Sequence, residues 1–193
     1  MFICVGDNES FSFAKNVGIG LIESAIGTTK ICLQHTPKRL IFIGSAGSYD
    51  SDISIGEIFY SFCATQIELS FLEGKSYTPI ENSIQMESFK IVSHETKNTH
   101  TVNTLGVLQA IVNSSNYITK TSEFNQLMLR ANIQLENMEF FSVLKVAQYF
   151  EIPCFGIFCV SNFVHENSHE EFLQNHHSVK KKLKHFVQNT FEV

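Results

Sequence analysis

The sequence has no tryptophan, no Cys-x-x-Cys pair, and no apolar run near the ~20 residues a membrane-spanning helix needs. It is also short of positive charge: 14 lysines and arginines face 19 aspartates and glutamates, for a net charge of −5. Each shortage excludes something. Without a long apolar run, no membrane segment is expected. The start, "MFICVGDNES", has too short an apolar stretch and no basic lead for a signal peptide. Without an excess of positive charge, nothing argues for a general nucleic-acid binder. Its one basic run, Lys180 to Lys184, falls in a predicted C-terminal helix and reads as a solvated face. The five cysteines (Cys4, Cys32, Cys63, Cys154 and Cys159) are an odd number without metal-type spacing. They read as small packed hydrophobes in a reducing compartment, so a cytoplasmic location is expected.

What is present is a core. A chain of 193 residues, 44% hydrophobic and with 18 phenylalanines, can fill one domain interior. No repeat, low-complexity stretch or linker interrupts it, so residues 1–193 read as one domain. Short apolar runs alternate with helical stripes. Strands are expected at "FICV" (2–5), "RLIFIG" (39–44), "GEIFYSFCATQIEL" (56–69), "FKIVS" (89–93), "LGVLQAIV" (105–112) and "PCFGIFCVS" (153–161). Helices are expected at about 20–34, 122–131, 138–150 and 168–190, with a poorly patterned region over 73–88. This order predicts an α/β fold: a central mixed, mostly parallel sheet flanked by helices.

Four features bear on chemistry. "GSAGS" (44–48) follows a buried strand and either cradles an anion on its amides or is a tight turn of small residues. "VGIG" (17–20) opens a helix, where an anion site and a plain turn are again both open. "HENSH" (165–169) matches the H-E-x-x-H metal pattern. However, Ser168 and Glu171 form an S-x-x-E capping signal, which starts the helix at Ser168 and leaves His165 in the loop. No metal site is therefore expected. Last, Glu139 and Asn162 stand at the two ends of an apolar stretch, one as a helix-start carboxylate and the other as a strand-end amide.

Three blocks together resemble the purine nucleoside phosphorylase and methylthioadenosine nucleosidase superfamily. They are "LIFIGSAGSYDSDISIGEIFYS", "VLQAIVNSSNYIT" and "ENMEFFSVLKVAQYFEIPCFGIFCVSN". The wording is most similar to the small purine nucleoside phosphorylase-like proteins of Helicobacter-type bacteria. The blocks and the "VGIG" turn span most of the chain in family order, with the segment between Val5 and Val17 shortened.

The resemblance implies roles by position. Glu139 matches the glutamate that accepts hydrogen bonds from the ribose hydroxyls, and Met138 the methionine packed on the sugar. Tyr117 and Ile118 match residues that stack on and flank the purine. Asn162 matches the Asp or Asn that holds the base at N7, and Gly20 and Ser45 match phosphate- or nucleophile-side positions. Three departures stand out: Phe42 and Phe158 replace arginines, and Asn137 replaces the first glutamate of the family's Glu-Met-Glu. Glu9 is the nearest candidate for the nucleosidases' water-activating glutamate. The implied activity is phosphorolysis of a purine nucleoside, a pentosyl transfer with phosphate as co-substrate and no other cofactor. Hydrolysis, or nucleoside binding without catalysis, are the alternatives. A homodimer or higher homo-oligomer is expected, and a 6-oxopurine is expected to suit the amide of Asn162.

Overall fold

Alternation of apolar runs with glycine-bearing turns builds one sheet with helices on both faces. The computed structural model describes residues 1–87 and 105–191. Its strands are β1 (Phe2–Cys4), β2 (Ala14–Asn16), β3 (Leu40–Ser48), β4 (Ile58–Thr65), β5 (Ser83–Gln85), β6 (Leu108–Ser114), β7 (Leu135–Asn137) and β8 (Cys154–Phe163). Its helices are α1 (Gly20–His35), α2 (Leu69–Leu72), α3 (Asn125–Arg130), α4 (Phe140–Tyr149) and α5 (Ser168–Phe191), with a 3-10 turn at Asp7–Glu9.

The sheet runs β2-β1-β3-β7-β6-β4-β5, and β8 bridges β3 and β4. Strands β3, β8, β4, β6 and β7 therefore close into a ring. The pairs β1–β2, β1–β3, β3–β8, β4–β6 and β6–β7 are parallel. The pairs β3–β7, β4–β5 and β4–β8 are antiparallel. The expected mixed, mostly parallel sheet is thus observed.

Helices α1 and α4 cover one core cluster, Val179, Leu183 and Val187 of α5 cover a second, and Tyr49, Met128, Ile133 and Val164 form a third, smaller one. Phe42, Phe140 and Phe158 are fully buried and pack together, with ring centroids 5.0–5.8 Å apart. All five cysteines are free and buried. Among the described residues, no helix is long and apolar enough to cross a membrane.

Several boundaries differ from the sequence expectation. Strand β3 does not stop at Gly44 but runs through "GSAGS" to Ser48, because β7 and β8 both pair with its last residues. The long strand expected over 56–69 ends at Thr65 and is followed by the short α2. The poorly patterned 73–88 region contains β5, an edge strand held by β4. "FKIVS" lies outside the described residues. Helix α5 does begin at Ser168, but the Ser168 hydroxyl accepts the His165 amide, and the Glu171 amide goes to the Asn167 carbonyl rather than to Ser168. Glu171 instead accepts the Phe163 amide at 2.9 Å and pairs with His165 at 3.1 Å.

Candidate active site

The closed ring of strands brings the ends of β3, β7 and β8 side by side. Gly47 on β3 pairs with Glu136 of β7 on one side and Asn162 of β8 on the other. Directly paired residues share a face, so Glu136 and Asn162 flank the bare backbone of Gly47. A Cβ at Gly47 would come within 2.9 Å of the Asn162 amide nitrogen, so any larger residue here must displace the Asn162 amide. Above these strand ends opens a cavity of about 320 Å³.

Its floor is a set of buried polar groups, each tied down by backbone. Asn137 is the local organiser. Its Oδ1 accepts the amides of Glu139 and Phe140 at 2.8 and 2.9 Å, satisfying the open start of α4. Its Nδ2 donates to the Ser45 carbonyl at 3.2 Å, fastening α4 to β3. Glu139, 3% exposed, is thereby aimed at the α1 start, where the Gly20 amide donates to its Oε1 at 2.9 Å. Burial pushes the Glu139 carboxyl up to about 7; the Gly20 donor opposes this and the nearby Glu9 charge adds to it.

Glu9 reaches in from the 3-10 turn. Its Oε1 accepts the Ser45 amide at 2.9 Å. The anion-cradling amide in "GSAGS" is therefore already filled by a carboxylate of the same chain. Asn162 accepts the Ser161 hydroxyl on Oδ1 at 2.8 Å and donates from Nδ2 to the Phe163 carbonyl at 3.1 Å. One amide proton and one lone pair remain free.

The residues expected from the sequence divide accordingly. Ser45, Ile118, Met138, Glu139 and Asn162 line the cavity together. Gly20 does not line it and acts through Glu139. Tyr117 is 76% exposed and is not among the lining residues. Glu9 and Asp7 do line it, as do Glu136, His169 and Phe172, which sequence reasoning did not assign to the site. Glu136 sits in a three-residue strand too short for periodicity, and Phe172 reads simply as one of the apolar positions of α5. Asp7, Glu9, Glu136 and Glu139 make the lining acidic, and no lysine or arginine is among the described lining residues. Phe42 and Phe158, where the resemblance implies arginines, turn into the core instead. No group of three His, Cys, Asp or Glu side chains among the described residues is placed to hold a metal ion.

The family model of the phosphorylase superfamily matches residues 13–192. Solved structures share the fold at low identity. A futalosine hydrolase of Helicobacter pylori aligns with a TM-score of 0.76 at 16% identity, over 99% of this chain and 96% of that one. A point mutant of the H. pylori 5′-methylthioadenosine/S-adenosyl homocysteine nucleosidase, with 5′-methylthioadenosine in its active site, gives 0.67 at 20% identity. That alignment covers 91% of this chain and 79% of that one. The Neisseria meningitidis nucleosidase in complex with methylthio-immucillin-A gives 0.74 at 14%, over 96% and 95% of the two chains.

Proposed function

The chain belongs to the phosphorylase superfamily, and on that premise we propose that it cleaves the N-glycosidic bond of a purine nucleoside with water rather than phosphate. The observation that carries this is the Glu9–Ser45 contact. A phosphate dianion entering beneath the sugar would find its amide donor taken at 2.9 Å by a carboxylate. It would also meet the acidic side chains of Asp7 and Glu9, and no lysine or arginine among the described lining residues. Coulomb repulsion at close range beside the low-dielectric protein wall costs more than in bulk solvent. Water carries no such charge, and Glu9 is placed to take its proton. Phosphorolysis, the first expectation from the sequence, is therefore the less well supported reaction. The nucleosidase and hydrolase names of the structural neighbours favour the same choice.

Breaking the bond leaves positive charge on the ribosyl ring and an electron pair on the purine. Glu139, with one oxygen fixed by Gly20, offers the other to the sugar hydroxyls and stabilises that charge. Met138 packs on the sugar, and Ile118 flanks the base. Asn162 turns its free amide proton to O6 and its free lone pair to N7–H of a 6-oxopurine. A 6-amino group would instead face the amide's own donor and leave buried polar groups unpaired. Glu9 deprotonates the water that attacks C1′, and the departing purine takes its proton from solvent.

Base release in phosphate-free buffer tests this, with inosine and adenosine compared. Inosine is expected to be cleaved with the higher kcat/KM. Glu9→Gln is expected to cut the rate by about 10²–10⁴-fold. No release from either nucleoside, with purine still bound in calorimetry, would mark a binding protein and contradict the assignment.

A further inference from the structure

Loop 116–120 is exposed except at one residue. Asn116, Tyr117, Ile118 and Lys120 reach solvent, whereas Thr119 is buried at 8% exposure. Every polar atom of Thr119 is tied down. Its amide donates to Glu136 Oε1 at 3.2 Å, and its hydroxyl donates to Glu136 Oε2. Its carbonyl lies 3.0 Å from the Ser168 hydroxyl at the start of α5, whose one proton it shares with the His165 carbonyl. The other end of the loop is anchored separately: Asn116 Oδ1 accepts the Leu21 amide of α1 at 2.8 Å.

Glu136 is the centre of this arrangement. It lies on β7, between Gly47 of β3 and Asn113 of β6, and is itself only 8% exposed. A third donor, the Tyr49 hydroxyl, reaches its Oε2 at 2.9 Å. A carboxyl group buried in a sheet interior is costly unless its oxygens are hydrogen-bonded. Here three donors converge on it, and two belong to the residue next to Ile118. Burial pushes the Glu136 carboxyl up, against the pull of the Thr119 and Tyr49 donors. The Tyr49 hydroxyl is held well above its usual range, so it stays a donor.

We infer that Glu136 is a positioning residue for the purine: it staples Thr119, and so fixes Ile118 as the wall of the cavity against which the base docks. This rests on the nucleoside-cleaving assignment above. The staple explains how an otherwise exposed loop presents a fixed surface to a ligand. A positioning role predicts that glutamine can replace Glu136, because glutamine can make the same hydrogen bonds. Its carbonyl accepts the Thr119 amide, and its NH₂ donates to the rotated hydroxyls of Thr119 and Tyr49.

The experiment compares Glu136→Ala and Glu136→Gln with the wild type by two readouts. Amide hydrogen exchange over residues 116–120 needs no activity, and KM and kcat for inosine report on the base. In Glu136→Ala, exchange in the loop is expected to quicken about tenfold or more, with β3 and β8 unchanged. KM should rise about tenfold while kcat stays within about threefold, as the loss of buried hydrogen bonds that position rather than react. Glu136→Gln should stay within about threefold of wild type in every readout. If Glu136→Ala does not fold, Thr119→Val removes one arm of the staple and should show the same pattern at a few-fold size. Unchanged exchange in the alanine or valine variant would overturn the staple. A glutamine variant that loses kcat as badly as alanine would overturn the positioning role in favour of the charge. A wild type that releases no base would sink the nucleosidase assignment instead, and the exchange result would still decide the staple.

Discussion

Glu139 has a pH dependence that follows from its burial. Its carboxyl moves from 4.5 in the open chain to about 7 in the folded protein, so the folded state binds the proton more tightly. The stability this lends is full below about 4.5 and is lost as pH rises through about 7. Activity runs the other way, because sugar hydroxyls need an ionised acceptor. kcat/KM for base release should climb along an acid limb with an apparent pKa near 7, and Glu139→Ala should lower the rate by several orders of magnitude. A flat profile from about pH 5 to 8, or an alanine variant within a few-fold of wild type, would contradict the ribose role. Glu139 and Asn162 stood out in the sequence as single polar groups at the ends of an apolar stretch, but the pattern alone fits an ordinary helix start and strand end, and their site roles came from the resemblance. Glu136 did not stand out, since in "LENME" it is one polar residue among several, and only the strands on either side reveal that it is buried. Phe42 and Phe158 were legible as departures from the arginines the resemblance implies, but their effect needed the structure: both rings fill the core beside Phe140, and no lysine or arginine is among the described lining residues.

Long elements with a clear period were readable: α1, α4, β8 and α5 fall within a few residues of their expected bounds. Elements defined by their neighbours were not. β7 has three residues, β5 has three residues, and the last part of β3 is made of glycine, serine and alanine, which locally favour a turn. Their ladders come from strands distant in sequence, which no local pattern encodes. Helix α1 shows the same dependence on a neighbour. Glycine inside a helix ordinarily costs about 0.5–1 kcal/mol relative to alanine. At Gly27, however, an added Cβ would stand 2.0 Å from the Val17 carbonyl oxygen. Alanine there must push α1 off the 17–20 turn, whose Gly20 amide holds Glu139. Gly27→Ala is expected to destabilise by about 1–3 kcal/mol in chemical denaturation, the cost of overpacking. A stabilised variant would show that α1 is not seated as closely as this.

The whole molecule leaves an apolar stripe uncovered on α1: Ile22, Ile26 and Leu33 are 66%, 44% and 66% exposed. Ile19 continues it to the mouth of the cavity, where Ile118 is also exposed. We expect this face to bury itself in a homodimer, or in a higher oligomer built from dimers. A monomer in light scattering at micromolar concentration would refute that. The net charge of −5 is carried partly into the cavity itself, where acidic side chains gather around the place a nucleophile must enter. The Glu9 carboxylate seated on the Ser45 amide is the centre of the account, because it leaves that amide closed to phosphate while water can still enter. The most direct test follows inosine cleavage in phosphate-free buffer and then at rising phosphate, identifying the sugar product by phosphorus NMR. The account predicts a rate independent of phosphate and free ribose throughout. A rate that requires phosphate, with ribose 1-phosphate as the product, would contradict it.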